Sequence, residues 1–208
     1  MNDYAITKWV NEMQIRNAVS QHHTETVVVR LFNTYGPGEY YSPYRSVNCR
    51  FLYCALHGLP WTVYRGHCRT WTYLLDTVRT LANIAGHFKP GETYNIGGDG
   101  LHSIEELSEV TLQITGANRA LVEYRDSEVL TTKVKRVDVS KAVRDLGHRN
   151  TCSLEEGMRR TAEWMRTVYA GDDLRALGRA VACSDPAEPD GDLTPMVARS
   201  RAPAARRP

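Results

Sequence analysis

Tyr4 and Lys8 stand four residues apart, the separation that puts two side chains one turn apart on one face of an α-helix. A free tyrosine hydroxyl titrates near pH ~10, so its use as a base near neutrality needs help worth about 4 kcal/mol. An ammonium group within about 4–6 Å favours the phenolate and supplies part of that help. Such a pair can take a proton from a substrate hydroxyl. The spacing alone is weakly specific. A chain with eleven tyrosines yields roughly one chance Tyr-x-x-x-Lys in four such chains, so the rest of the sequence must decide.

The elements that would position these residues are legible in the pattern. Ile6, Trp9, Val10 and Met13 recur at helical spacing, and Asn2 or Asp3 can cap the start, so residues 4–20 are expected to be helical. The run Thr26 to Phe32 is short, continuous and β-branched, the pattern of a strand buried on both faces in a parallel sheet. Asn33-Thr34-Tyr35-Gly36-Pro37-Gly38 then forms a loop. A helix is expected over 47–57, ending at Gly58 and Pro60, and a strand over 61–64. An extended segment at 72–75 leads into a helix over about 76–87, and another strand covers 93–96. Ser103-Ile104-Glu105-Glu106 and Ser153-Leu154-Glu155-Glu156 are capping boxes that open two further helices. Asp138 can cap a short helix through Ala142 to Leu146, and Asp76 suits a cap better than a catalytic role. Strands alternating with helices give an α/β class.

Seven segments in one order carry a family resemblance. They are Tyr4-Ala5-Ile6-Thr7-Lys8, Arg30 to Pro37 (RLFNTYGP), Leu59 to Tyr64 (LPWTVY), Arg69 to Asp76 (RTWTYLLD), Tyr94 to Gly98 (YNIGG), Arg136 to Ala142 (RVDVSKA) and Ser153 to Gly157 (SLEEG). Over about residues 2–169 the chain resembles the C-terminal half of the NAD-dependent nucleotide-sugar epimerases and dehydratases, within the extended short-chain dehydrogenases/reductases. The resemblance implies the last part of a Rossmann-type parallel sheet followed by a small mixed α/β substrate lobe. It implies Tyr4 as catalytic base and Lys8 as holder of the nicotinamide ribose, both touching NAD. It implies Asn33 against the sugar diphosphate, and Arg69 and Arg136 gripping its phosphates, which suits the guanidinium fork. The implied reaction oxidises C4 of a nucleotide diphosphate sugar to a 4-keto intermediate. Epimerisation, dehydration and a UDP-glucuronate type of decarboxylation all stay open from there. A homodimer through the helix of residues 4–20 is implied in the same way.

The sequence also departs from that pattern. Arg65-Gly66-His67-Cys68 stands where the family has Gly-Asp-Gly, and Thr70, Trp71 and Leu75 replace commoner Asp, Phe and Asp. His67 is expected to be an ordinary loop histidine. A dinucleotide-binding fold opens with a strand, a Gly-rich turn and a helix. No G-x-G-x-x-G occurs in the chain, and Gly97-Gly98-Asp99-Gly100 has the wrong spacing. The chain is therefore expected to lack the cofactor half, to begin just upstream of its catalytic tyrosine, and to turn over little or nothing alone. A remnant that only binds nucleotide sugar and an interaction protein acting through its tail are the rival readings.

Composition narrows the partners. A formal charge of +2 is too weak to imply nucleic acid or a membrane surface. No apolar run approaches the ~18 residues of a membrane span, and no signal peptide is read at the start, which points to the cytoplasm. Five cysteines without C-x-x-C spacing are expected to be reduced thiols rather than disulfides or metal ligands, and no metal is expected. Residues 170–208 are rich in Pro, Ala and Arg and are expected to be a disordered tail following the domain of residues 1–169.

Overall fold

The computed structural model describes residues 3–126 and 132–170, so the expected tail beyond Ala170 lies outside the described residues. In chain order the elements are α1 (Asp3–His22), β1 (Val28–Leu31), β2 (Thr34–Tyr35), α2 (Val47–His57), β3 (Trp61–Tyr64), β4 (Cys68–Thr70), β5 (Thr72–Tyr73) and α3 (Leu74–Gly86). There follow β6 (Thr93–Ile96), β7 (Leu101–Ser103), α4 (Ile104–Thr115), β8 (Val122–Arg125), α5 (Ser140–Leu146) and α6 (Leu154–Val168). The strands form four two-stranded ladders. Three are parallel: β1 with β6, β2 with β5 and β3 with β8. The fourth, β4 with β7, is antiparallel and sets Arg69 opposite His102. This is the α/β class that the alternating pattern implies.

Two hydrophobic cores are present among the described residues. The larger joins α2, α4 and α6 to β3, with Leu52, Trp61, Val63, Leu107, Met158 and Met165 at its centre. The smaller packs Tyr94 and Ile96 of β6 on Ala142 and Leu146 of α5, with Val27, Val29 and Ile84 alongside. Helix ends follow their capping chemistry. Ser46, Ser103 and Ser153 each accept from the backbone N–H three residues on, and Gly58, Gly116 and Gly147 close their helices in the left-handed region.

The helix expected over residues 4–20 is present as α1, but β1 departs from expectation in its burial. β1 is not buried on both faces, for Leu31 is 52% exposed and Arg30 lies at the surface in a two-point ion pair with Glu12 of α1. Among the described residues nothing covers the outer face of β1, and α1 buries no residue at all, although Trp9, Val10 and Met13 fall at the helical spacing of a packed face. Arg30 holds the Glu12 carboxyl below its ordinary range by direct hydrogen bonding. An exposed pair of this kind adds little to stability. The thiol expectation is corrected at one position: Cys49, Cys68 and Cys152 are free, whereas Cys54 is disulfide-bonded. A cysteine count without C-x-x-C spacing says nothing of which sulfurs the fold brings together.

The close approach of α6 to β2 and β5 depends on a missing side chain. A Cβ at Gly157 would lie 2.2 Å from the Tyr35 hydroxyl and 3.0 Å from the Tyr73 ring. Tyr35 is held there by donating to Leu154 O at 3.3 Å, and burial raises its hydroxyl pKa. Gly157→Ala is expected to cost about 1–3 kcal/mol through overpacking. Thermal unfolding followed by circular dichroism should show a midpoint lower by several degrees. An unchanged midpoint would mean that Tyr35 swings aside freely.

Candidate functional site

A cavity of about 310 Å³ opens where the first turn of α2 meets β3, β4 and the segment around Lys135. Its α2 wall begins at Ser46, which caps the helix through Cys49 N at 3.2 Å. Glu39 in turn fixes Ser46, accepting from its hydroxyl at 2.7 Å and from its N–H at 3.0 Å. The first turn of this eleven-residue helix, its positive dipole end, therefore lines the cavity.

Arg69 is buried in β4 and lines the cavity. Its Nη1 donates to Cys68 O at 2.8 Å and Lys133 O at 2.9 Å, which fixes the guanidinium. The backbone of Cys68 donates to Lys133 O at 2.8 Å and accepts from Lys135 N at 3.1 Å. That clip carries Lys135 to the cavity, and Arg50 joins it from α2. Among the described residues, three permanent cations and no carboxylate line this cavity. A small anion of two or more charges is the ligand class that such a wall attracts.

Asn33 also lines the cavity. It adopts a left-handed backbone (φ 46°), which asparagine tolerates better than most residues. Its Nδ2 donates to Thr70 O at 2.8 Å, and its carbonyl accepts from Thr72 N at 3.3 Å, so the β1–β2 corner is pinned beside Arg69. Asn33 and Arg69 are thus brought together. Arg136 is not among the lining residues: it is exposed and borders a separate surface depression with Asp99, Asp138 and Ser140. Lys135, its neighbour, occupies the cavity instead. Tyr4 and Lys8 do share a helix face, with the Lys8 ammonium 5.4 Å from the Tyr4 ring centroid. Tyr4 is 70% exposed, and neither residue lines the cavity.

The two aspartates behave as supports. Asp76 does not cap its own helix, whose first flanking residue is Tyr73; it caps the loop before α6 instead, through Thr151 and Cys152. Asp138 accepts from Ser140 N at 2.9 Å at the start of α5, and that bond lowers its pKa. His67 lies in the loop between β3 and β4, as expected, but it is 1% exposed and lines the cavity.

Arg50, Lys135 and Asn48 escape a reading of motifs. One signal was available for Arg50. α4 and α6 carry two glutamates each in their first turns, as the dipole favours, whereas α2 carries none there and has Arg50 near its start. Lys135 offers no such signal, because backbone pairing to β4 alone decides its position.

The residues present fit only one end of a dinucleotide. Tyr4 and Lys8 could face a nicotinamide ribose, but the sequence has no Gly-rich turn to cradle a pyrophosphate.

Ladder topology, alternating helices and a cationic cavity beside the Arg69 strand define a Rossmann-type α/β protein. The model of the NAD dependent epimerase/dehydratase family matches residues 1–97. A dTDP-glucose 4,6-dehydratase of an Actinoplanes species is 28% identical over 165 residues, covering 78% of this chain and 51% of that protein. A UDP-N-acetyl-alpha-D-glucosaminuronate decarboxylase of Bacillus cytotoxicus is 29% identical over 172 residues, covering 79% and 53%. Among solved structures, the UDP-glucose 4-epimerase of Thermotoga maritima with UDP-glucose superposes with a TM-score of 0.72 at 27% identity, covering 79% of this chain and 53% of that one. The Bordetella bronchiseptica enzyme WbmF in complex with NAD+ and UDP gives 0.71 at 29% identity, covering 86% and 57%. The chain spans about half the length of the curated relatives it matches. No helix among the described residues is long and apolar enough to cross a membrane.

Proposed function

We propose that these residues bind a nucleotide diphosphate sugar as part of an NAD-dependent epimerase or dehydratase. Decarboxylation of a nucleotide-linked uronate is the alternative reaction. The observation that carries the reading is the cavity wall of Arg50, Arg69 and Lys135 without a carboxylate among the described lining residues. A diphosphate carries the complementary charge, and the apolar faces of Phe51 and Trp71 beside it suit a base or a sugar ring. Arg69 grips a phosphate in this reading, and Asn33 lies against the sugar diphosphate. Arg136 takes part only if the segment that joins it to Lys135 turns toward the cavity.

Tyr4 is the proton acceptor for the sugar hydroxyl, and Lys8 sits one turn on to stabilise the phenolate. The exposure of Tyr4 favours a second reading for the 208 residues by themselves, that of a binding module without turnover. A base left this open to water lacks the enclosure that catalysis requires. The bare apolar residues of α1, Trp9 and Met13 among them, support pairing of two copies along that helix.

Thermal unfolding with added UDP, UMP and uridine tests the proposal. UDP is expected to raise the midpoint more than UMP, and uridine least, with the UDP effect shrinking as salt rises. Tyr4→Phe should leave the UDP effect intact, because Tyr4 is outside the cavity. Equal responses to UDP and uridine would remove the diphosphate from the reading.

A further inference from the structure

Asn48 is the second residue of α2, is 1% exposed and lines the cavity. Its Nδ2 donates to Met158 Sδ at 3.5 Å. A thioether accepts and cannot donate, so this end of the amide must be the nitrogen. The other end, Oδ1, is buried with no hydrogen-bond partner among the described residues. Helix capping does not explain it, since Ser46 already caps α2. Packing does not explain it either. A buried amide oxygen without a donor is uncommon and unfavourable, and an apolar side chain of the same shape would suit the unliganded protein better.

We infer that Asn48 is a specificity residue whose Oδ1 accepts a hydrogen bond from an uncharged O–H or N–H group of the bound nucleotide sugar. The inference rests on the reading of the cavity as a nucleotide-sugar site. The chemistry divides the cavity into two tasks. Phosphate oxygens only accept, so they repel an amide oxygen and belong to Arg50, Arg69 and Lys135. Asn48 serves the neutral parts of the ligand, where donors are found: the hydroxyls of the ribose or the hexose, or the imide N–H of a uracil or thymine base. Met158 makes this possible by holding the amide nitrogen on the core side.

Calorimetric titration of UDP, CDP and UDP-glucose into the full 208-residue chain and into Asn48→Leu tests this. Leucine keeps the volume and deletes the acceptor. The unliganded variant is expected to unfold at the same temperature as the parent or higher, the opposite of what loss of a structural hydrogen bond would do. Its affinity for UDP-glucose should fall about tenfold. A loss with UDP but not CDP assigns the donor to the base imide. An equal loss with UDP and CDP assigns it to the ribose, and a loss confined to UDP-glucose assigns it to the hexose. Any of these supports the inference. Should the leucine variant fail to fold, Asn48→Ala serves in its place. Unchanged affinity of the variant for all three ligands overturns the inference while leaving the nucleotide-sugar reading intact. Failure of the parent chain to bind any of the three removes that reading and the role of Asn48 with it.

Discussion

Arg69→Ala should weaken binding of UDP by roughly 30- to 150-fold, which corresponds to about 2–3 kcal/mol for a charge-assisted hydrogen bond lost from a buried wall. Arg69 is 9% exposed, and two backbone carbonyls hold its guanidinium before any ligand arrives, so little ordering is needed on binding. Arg69→Lys keeps the charge but cannot reproduce the planar fork, and an intermediate loss is expected. Because Arg69 also ties Lys133 to β4, the thermal midpoint of each variant must be read beside its affinity. A folded Arg69→Ala protein with parental UDP affinity would show that the cavity cations do not hold a phosphate.

The second large effect falls on stability. Asp76 is 2% exposed, and its carboxylate accepts from Thr151 N at 2.9 Å, Thr151 Oγ1 at 2.6 Å and Cys152 N at 3.1 Å. Arg79 reaches it from one turn along α3 at 3.3 Å. Asp76→Ala leaves two backbone donors without their acceptor and is expected to destabilise the protein by about 3–4 kcal/mol. For a chain of this size that is a fall of roughly 6–15 °C in the unfolding midpoint. The loop at Thr151 and Cys152 feeds directly into α6, which carries Met158 and so the anchor of Asn48. Loosening should therefore weaken nucleotide binding as well. Chemical denaturation compared between parent and Asp76→Ala measures the effect. A difference below about 1 kcal/mol would show that water replaces the carboxylate, and the supporting role would fall.

Much of this architecture is legible without coordinates, for local reasons. The helix of residues 47–57 and the strands of residues 61–64 and 93–96 coincide with α2, β3 and β6, because each is bounded by a strong stop: Gly58, Pro60 or Gly97. The serines of the two capping boxes cap α4 and α6 because Ser accepts from the third N–H whatever the tertiary context. β4, β7 and β8 are not legible. Three- and four-residue strands such as Cys68–Thr70 have no measurable alternation, and pairing across more than thirty positions decides them. The burial of β1 is misread for a related reason. A β-branched run announces that a strand wants covering on both faces, but the covering must come from elsewhere, and for β1 and α1 it is not among the described residues.

The candidate site divides along the same line. Asn33 and Arg69 stand in ordered motifs and meet in one cavity, whereas Lys135 rather than Arg136 enters it because Cys68 grips the backbone at Lys133 and Lys135. A one-residue difference in a paired segment changes which side chain borders the cavity. No motif encodes that choice. Arg50 and Asn48 likewise become functional candidates only when α2 is seen to present its first turn to the cavity.

The most direct test of the central claim is a crystal structure of this chain with UDP. The expected result is a diphosphate seated in the cavity against Arg69, with Arg50 or Lys135 on its second phosphate and the α2 N-terminus nearby. A diphosphate found against Arg136 outside the cavity, or a cavity that stays free of nucleotide at saturating UDP, would contradict it.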